Sequence, residues 1–172
     1  MFDGMIQIRP LASTDAPAVF AAVDSSRPAL ARWMPWYDPT YSLADATAWV
    51  DRSVAEHDAG TGFHFAIVDD TGQFLGVVSL EDTVREPGKA MLGYWVASPS
   101  TGRGVASAAV GQALAWAVAH TDIRAVWALI DRDNLSSRRV AETNGLRLRA
   151  PDATSDANAQ LVYERRLPEP AA

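Results

Sequence analysis

Residues 102–107, Gly-Arg-Gly-Val-Ala-Ser, stand between an apolar, β-rich run and a long alanine-rich run. If the second run is a helix, its first amide groups lack intrahelical partners, and the helix dipole adds roughly half a positive charge at that end. Glycine lets a ligand approach these amides without meeting a Cβ atom, and Arg103 supplies a cation. The segment therefore predicts a phosphate-binding loop. Glycines that merely turn the chain are the alternative.

Two better-defined phosphate motifs do not match. The chain has no Gly-x-x-x-x-Gly-Lys-Ser/Thr run, which excludes a Walker loop. The dinucleotide fingerprint Gly-x-Gly-x-x-Gly/Ala fails at its third small position, where Ser107 stands. A dinucleotide-binding enzyme is therefore a less favoured alternative.

Composition narrows the chemistry further. The 172 residues include no cysteine, which excludes disulfides, thiolate nucleophiles and cysteine-bound metals. His57, His64 and His120 are irregularly spaced, so no metal site is predicted. A net charge of −6 disfavours nucleic acid and anionic membranes as partners and favours neutral or cationic ones. With neither a signal-peptide pattern nor a run of about 20 apolar residues, we expect a cytoplasmic protein.

The elements that would position the loop follow from periodicity and turn residues. The first half is predicted to contain strand 6–9, a helix from residue 13, short helical pieces up to residue 39, a helix over 42–60 and antiparallel strands 63–69, 73–81 and 90–97. The second half is predicted to contain a helix from residue 105, strand 125–130, helix 136–143 and strand 161–166. This alternation suggests parallel pairing in the second half and a mixed α/β sheet. We expect one domain over residues 1–168 and a frayed tail over 169–172.

Three segments resemble the GNAT superfamily of N-acetyltransferases. Residues 101–106 resemble its acyl-coenzyme A loop, Gln/Arg-x-x-Gly-x-Gly/Ala, with Thr101 in place of the first residue. Residues 133–146 resemble its Asn-x-x-Ser…Gly-Phe segment, and residues 30–36 resemble the Leu-x-x-Trp-x-Pro-Trp element of the RimJ/RimL branch, the ribosomal-protein N-terminal acetyltransferases. The resemblance implies a mixed, mostly antiparallel sheet with helices on both faces. It also implies that strands 90–97 and 125–130 splay apart around acetyl-coenzyme A (acetyl-CoA).

The resemblance also implies where the ligands bind. The strand end would pair with the pantetheine arm, the loop would hold the diphosphate, and an asparagine and an arginine would add side-chain contacts. These cofactor residues are Val96, Ala97, Ser98, Gly102, Arg103, Gly104, Val105, Ala106, Ser107, Asn134 and Arg139. The acceptor pocket would be lined by Trp33, Trp36 and Tyr94, and by the loop 150–159.

Acetyl transfer to an amine needs a base for the amine proton and an acid for the leaving thiolate. We favour Glu81 over its neighbour Asp82 as the base, because only one of two consecutive strand residues points to a given face. Ordered water is a further route for the proton. Many GNAT proteins place a tyrosine on the helix after the asparagine, and the RimJ/RimL branch resembles this chain in having a serine there, so the resemblance implies Ser137 as the acid. Tyr94 is its alternative. Strict alternation predicts that only one of Tyr94 and Trp95 faces the cleft.

The sequence therefore predicts an acyltransferase that moves an acetyl group from acetyl-CoA to a primary amine by direct attack in a ternary complex. The amine would belong to a small molecule or to a protein N-terminus, with a basic protein suiting the acidic chain. The family analogy also suggests a homodimer. A CoA-binding regulatory domain without turnover is the main alternative.

Overall fold

The computed structural model describes residues 5–149 and 160–169, and its seven strands form one open sheet in the order β1-β2-β3-β4-β5-β7-β6. The strands are β1 Gln7–Pro10, β2 Phe63–Val68, β3 Phe74–Glu81, β4 Lys89–Val96, β5 Ala125–Asp131, β6 Arg147–Leu148 and β7 Gln160–Arg166. The helices are α1 Ala16–Asp24, α2 Arg27–Trp33, α3 Leu43–Ala59, α4 Val105–His120 and α5 Leu135–Thr143.

Local signals account for most of these boundaries. Helix α3 begins where the Ser42 hydroxyl accepts a bond from the Asp45 amide, and it ends at Gly60, whose φ of 70° suits glycine. The β2–β3 hairpin turns where Asp69 accepts bonds from the backbone N–H groups of Thr71 and Gln73. Strands β2 to β4 pair antiparallel, as predicted, and β1 joins them antiparallel to β2.

The sheet opens between β4 and β5. These strands are parallel and pair from Lys89 with Ala125 to Met91 with Trp127. Beyond that point β4 continues to Val96 and β5 continues to Asp131, but the two strands no longer pair with each other. The mostly antiparallel sheet and its predicted splay are therefore confirmed.

The predicted parallel pairing is wrong for the last strand. Strand β7 pairs antiparallel with both β5 and β6. Since β7 opposes both neighbours, β5 and β6 run in the same direction, so the chain through α5 does lead to a parallel strand. That strand is β6, which is only two residues long, and β7 inserts between it and β5.

Helices cover both faces of the sheet. One core cluster packs α4 against the face that carries Phe65, Val78 and Leu92. The other packs α1 to α3 against the face that carries Val77 and Trp95. Within residues 5–149 and 160–169, no helix has both the length and the apolarity needed to cross a bilayer.

Two predictions concern the ends of the described chain. The predicted acceptor loop 150–159 and residues 170–172 of the predicted tail lie outside the described residues. Glu169, the first residue of that tail, places its carboxylate 3.6 Å from Nε of Arg124.

Candidate active site

A cavity of about 970 Å³ fills the gap between β4 and β5. Trp33 and Trp36 line it on the side of helices α1 to α3, and Asn134 and Ser137 of α5 line it on the other side. The gap is thus a passage through the sheet, open to groups from both faces.

The splay leaves one edge of β4 unpaired. The Ala97 N–H donates to the Leu75 carbonyl of β3, and on the opposite side the Ala125 N–H donates to the Gly88 carbonyl. Because hydrogen-bonding groups alternate along a strand, odd-numbered residues of β4 bond to β3 and even-numbered ones point toward β5. The main-chain groups of Tyr94 and Val96 therefore face the gap, beyond the last β5 partner.

This alternation corrects part of the predicted cofactor edge. The Ala97 amide is used by Leu75, and the Ser98 amide donates to the buried Ser26 hydroxyl at 2.8 Å. Neither amide is free to pair with a pantetheine arm, so Val96 is retained from the predicted edge. Tyr94, predicted only through its side chain, joins it through its backbone.

Helix α4 starts just past the end of β4. Gly102 and Gly104 have φ values of 73° and 78°, which suit glycine, and a Cβ at either would project into open space. The first helical bond runs from the Ala108 N–H to the Gly104 carbonyl, so the amides of Val105, Ala106 and Ser107 have no partner within the helix. These amides and the open space beside the glycines fit a diphosphate.

Three side chains were predicted to contact the cofactor near this loop, and the structure places each in a different environment. The Ser107 hydroxyl accepts a bond from the Asn144 amide at 3.3 Å and keeps its own O–H, so both the hydroxyl and the backbone N–H can donate to a ligand. Arg103 is exposed and contributes, after the bonds from Thr71 and Gln73, to lowering the pKa of Asp69. Arg139 is exposed on α5 and is absent from the lining of the cavity.

Tyr94 and Ser137 form a hydrogen-bonded pair inside the cavity. The Ser137 hydroxyl donates to the Tyr94 hydroxyl at 2.9 Å, and the Tyr94 hydroxyl donates to the Ser137 carbonyl at 2.8 Å. Burial raises the pKa of Tyr94 to about 12, although the bond from Ser137 opposes this shift. Asn134 caps α5 by accepting from the Ser137 N–H, which leaves its NH₂ group as a donor.

Tyr94 and Trp95 both line the cavity, so the expectation that only one of them would face it is wrong. They do lie on opposite faces of β4, as alternation requires. The cavity reaches both because it crosses the sheet. On the α1–α3 side Trp36 lies between Trp95 and Tyr41, with ring centroids 6.1 Å from each.

Glu81 reaches the cavity from the end of β3. Its Oε1 accepts a bond from the Ser79 hydroxyl at 2.6 Å, and Ser79 lies opposite Gly93 of β4. A Cβ at Gly93 would stand 2.9 Å from the Ser79 hydroxyl and 3.6 Å from Glu81 Oε1, so the missing side chain makes room for this carboxylate. Asp82 has a φ of 58° and lines a second cavity, of about 500 Å³, rather than the first.

A match to a protein-family model identifies the family. The model of the acetyltransferase (GNAT) domain matches residues 6–147. The chain belongs to the GNAT acetyltransferase family. This GNAT protein is thus an acyltransferase, and the reaction is transfer of an acetyl group from acetyl-CoA to an amine. The sheet, with a single parallel pair among its described strands, excludes the doubly wound dinucleotide-binding fold.

Solved structures share the fold at low sequence identity. RimL, the ribosomal L7/L12 α-N-protein acetyltransferase in complex with coenzyme A, is 20% identical with a TM-score of 0.85, covering 94% of each chain. The microcin C7 self-immunity acetyltransferase MccE, in complex with acetyl-CoA and AMP, is 18% identical with a TM-score of 0.83, covering 96% of this chain and 93% of its own. Mycobacterium smegmatis RimJ, in complex with CoA-disulfide, is 24% identical with a TM-score of 0.82, covering 95% and 82%. No curated protein was matched by sequence.

Sequence reasoning missed a polar row beside Glu81. In the register of β2, β3 and β4, His64, Ser79 and Gly93 lie side by side. A histidine within the apolar run Phe-His-Phe-Ala-Ile-Val was visible in the sequence, but its partners come from other elements. Only the register reveals that it faces the same side of the sheet as Glu81.

Proposed function

We propose that this GNAT protein acetylates the α-amine of a protein N-terminus. Acetyl-CoA would bind along β4 and the start of α4, and the acceptor would enter from the aromatic side of the cavity. The observation that carries this proposal is the unpaired edge of β4 at Tyr94 and Val96, which leads to the free amides of α4. Amides of an extended arm can pair with such an edge, as in strand addition.

The acceptor class is supported by the relatives and by charge. One similar structure is an acetyltransferase that modifies the N-terminal serine of the ribosomal protein L7/L12 in Salmonella typhimurium, and another is the ribosomal-protein-S5-alanine acetyltransferase of Vibrio fischeri. The net charge of −6 favours a cationic acceptor. We also propose a cytoplasmic location, in keeping with such an acceptor, and a homodimer by analogy with the RimJ/RimL branch.

We assign the chemical roles as follows. Glu81 removes the proton from the acceptor ammonium, which is mostly charged at neutral pH because an α-amine has a pKa of about 7.7 to 8.0. An amide of Tyr94 or Val96 polarises the thioester carbonyl. Since the chain has no cysteine to form a thioester intermediate, the amine attacks acetyl-CoA directly.

The leaving thiolate is stabilised by the Tyr94–Ser137 pair. With a pKa of about 12, the Tyr94 hydroxyl holds its proton more tightly than a thiol, whose pKa is about 8.5. Full proton transfer to the thiolate is therefore unfavourable, and the pair stabilises it by a hydrogen bond that forms when the Tyr94 O–H turns from the Ser137 carbonyl to the sulfur. Asn134 would donate to the pantetheine arm, and Arg103 and Arg139 would contact the phosphates.

The test uses defined peptides. The protein is incubated with acetyl-CoA and short basic peptides that begin with serine or alanine, and with the same peptides blocked at the α-amine. We expect thiol release and a singly acetylated product from the free peptides alone, measured with a thiol reagent and by mass spectrometry. Acetylation of the blocked peptides at lysine would contradict the acceptor assignment. A protein that is stabilised by acetyl-CoA but releases no thiol with any amine would be a binding module without turnover.

A further inference from the structure

His64 is a buried histidine that the proposed reaction has not yet used. Its side chain is 4% exposed, and it lies between two carboxylates, with Nε2 2.8 Å from Oε2 of Glu56 and Nδ1 4.0 Å from Oε1 of Glu81. Nδ1 is buried and has no hydrogen-bond partner among the described residues. An unpartnered buried polar atom is costly, so its position next to the candidate base calls for an explanation.

The contact with Glu56 fixes the form of the ring. A carboxylate oxygen only accepts, so Nε2 must carry the proton in that bond. In the neutral imidazole Nδ1 is then an acceptor with a free lone pair. Nδ1 faces the carboxylate of Glu81. While ionised, this carboxylate has no hydrogen to donate, but it becomes a donor when it takes up a proton.

We propose that His64 relays protons from Glu81. This relay rests on the proposed function. Its first step is the transfer of one proton from the acceptor ammonium to Glu81. A small rotation of that side chain brings the new O–H to Nδ1, and the proton moves there with cleavage of the O–H bond. Glu81 is again ionised, and His64 becomes an imidazolium whose positive charge is balanced by Glu56.

The surroundings of His64 suit this cycle. Its charged or titratable neighbours are Glu56 and His57 on α3, Glu81 on β3, and Arg52, whose Nε is 3.8 Å from the other oxygen of Glu56. Trp49 covers the ring edge-on, with centroids 5.9 Å apart. Two carboxylates and one more distant guanidinium therefore surround the ring.

The proton also has a way out. Glu81 lines both the main cavity and the second cavity, and Glu56 lines the second. After product release, the imidazolium returns its proton from Nδ1 to Glu81, which gives it to solvent through the second cavity. His64 thus regains its starting tautomer without turning its ring, and the proton leaves apart from the acceptor.

The decisive variant is His64→Gln, which keeps an N–H donor for Glu56 and has no titrating nitrogen. We expect kcat with acetyl-CoA and a serine-initiated peptide to fall about tenfold at pH 7, and to approach the wild-type value near pH 9, where the amine is already neutral. The KM for acetyl-CoA stays unchanged. Glu81→Gln lowers kcat about a hundredfold at pH 7, and this loss also shrinks toward pH 9, because the amine proton that Glu81 removes is then already absent.

His57→Gln is the matched control. Among the described residues the buried Nδ1 of His57 likewise has no hydrogen-bond partner, but its ring packs on Phe63, Phe65 and Trp116 and lines neither cavity. We expect a wild-type pH profile from this variant. The relay would be overturned if the pH profile of kcat for His64→Gln coincided with that of the wild type, or if it were lowered equally at every pH. If only Glu81→Gln lost activity, the relay would be wrong and the proposed function would stand.

A second measurement needs no variant activity. The chain has three histidines, so their ring nitrogens can be resolved by ¹⁵N NMR and assigned with the two glutamine variants. We expect the neutral ring of His64 to carry its proton on Nε2. A proton on Nδ1 instead would remove the acceptor and overturn the proposal. A wild-type protein that acetylates no amine would overturn the proposed function itself.

Discussion

Tyr94 and Ser137 are 43 residues apart in the chain, and their hydroxyls share a hydrogen bond inside the cavity. The family resemblance implied Ser137 as a candidate acid, and Tyr94 was its alternative. The sequence could not predict that they act as a unit, since the bond depends on how α5 packs against the free edge of β4. The hydrogen bond links the two candidates, so we expect their effects on catalysis to be coupled.

This coupling has a measurable consequence. We expect Tyr94→Phe and Ser137→Ala each to lower kcat about tenfold with little change in the KM for acetyl-CoA, because each removes part of one hydrogen-bond chain to the thiolate. The double variant should be little worse than the slower single one. Steady-state kinetics of the three variants tests this, and losses that multiply would show that the two hydroxyls act independently.

Other residue roles were harder to predict. Ala97 and Ser98 were expected to bind the cofactor, yet their amides are committed to Leu75 and Ser26. His64 received no role, because a single histidine in an apolar strand gives no sign of its neighbours. In each case the missing information was the partner across space, which residue types and spacing do not contain.

Among the secondary-structure elements, β4 contributes most to the site, because it supplies the unpaired edge and leads to the start of α4. Gly76 of β3 lets β4 approach closely: a Cβ there would clash with the Trp95 carbonyl and lie 2.8 Å from the Val96 Cα atom. The sequence predicted this strand, the glycine loop and α4. It did not fix which residues bond to β3, because that register depends on how the two strands align across the connection 82–88, which alternation alone does not specify.

The start of α4 carries a second prediction. Gly104→Val places a β-branched side chain at a φ of 78° and fills the space beside the free amides. We expect acetyl-CoA at a hundred times its Kd to add about 2.7 kcal/mol to the free energy of unfolding of the wild type and so to raise its Tm. The Tm of the variant should stay unchanged. Thermal unfolding with and without acetyl-CoA measures both.

Gly60→Val is the control for backbone strain. Gly60 has a φ of 70°, and a Cβ there also meets open space, but it ends α3 and lines neither cavity. Both variants should lose about 1 to 2 kcal/mol of stability. Only Gly60→Val should keep the shift with acetyl-CoA. Equal shifts in the two variants would refute the assignment of the loop.

Across the whole molecule, Arg9 at the edge strand is tied to the turn before α1. Arg9 donates two bonds of 2.7 Å to the Asp15 carboxylate, which also accepts from the Ala12 N–H. Burial alone would raise the pKa of Asp15, but these bonds outweigh it and hold the pKa below its usual value. The contribution of Asp15 to stability is therefore present above about pH 3.9, its unfolded pKa, and is lost as the pH falls through its folded pKa.

The matching test is Asp15→Asn. We expect a loss of about 1 kcal/mol at pH 7 that shrinks as the pH falls below 4, since the wild type then loses the same bonds. Asp24→Asn, which breaks an exposed pair with Arg27, should change stability by less than about 0.5 kcal/mol. Urea unfolding at several pH values measures these differences. A pH-independent loss in Asp15→Asn would mean that the ion pair contributes nothing.

The architecture as a whole was more predictable than its final strands. Periodicity and turns located the antiparallel strands β1 to β4 and the long helices, and the resemblance supplied the splay. Strand β7 was predicted over 161–166, but its insertion between β5 and β6 was missed, because a two-residue strand such as β6 leaves no periodic signal. Pairing between late strands depends on sheet order, which local patterns do not encode.

The passage through the sheet bears on how this protein could be inhibited. A compound that joins a coenzyme A analogue to a peptide amine would have to be threaded between two strands, with one half on each side. Such a molecule would hold β4 and β5 at a fixed separation. Its dissociation would then be limited by how far the two strands can part, and not by contacts at either mouth alone.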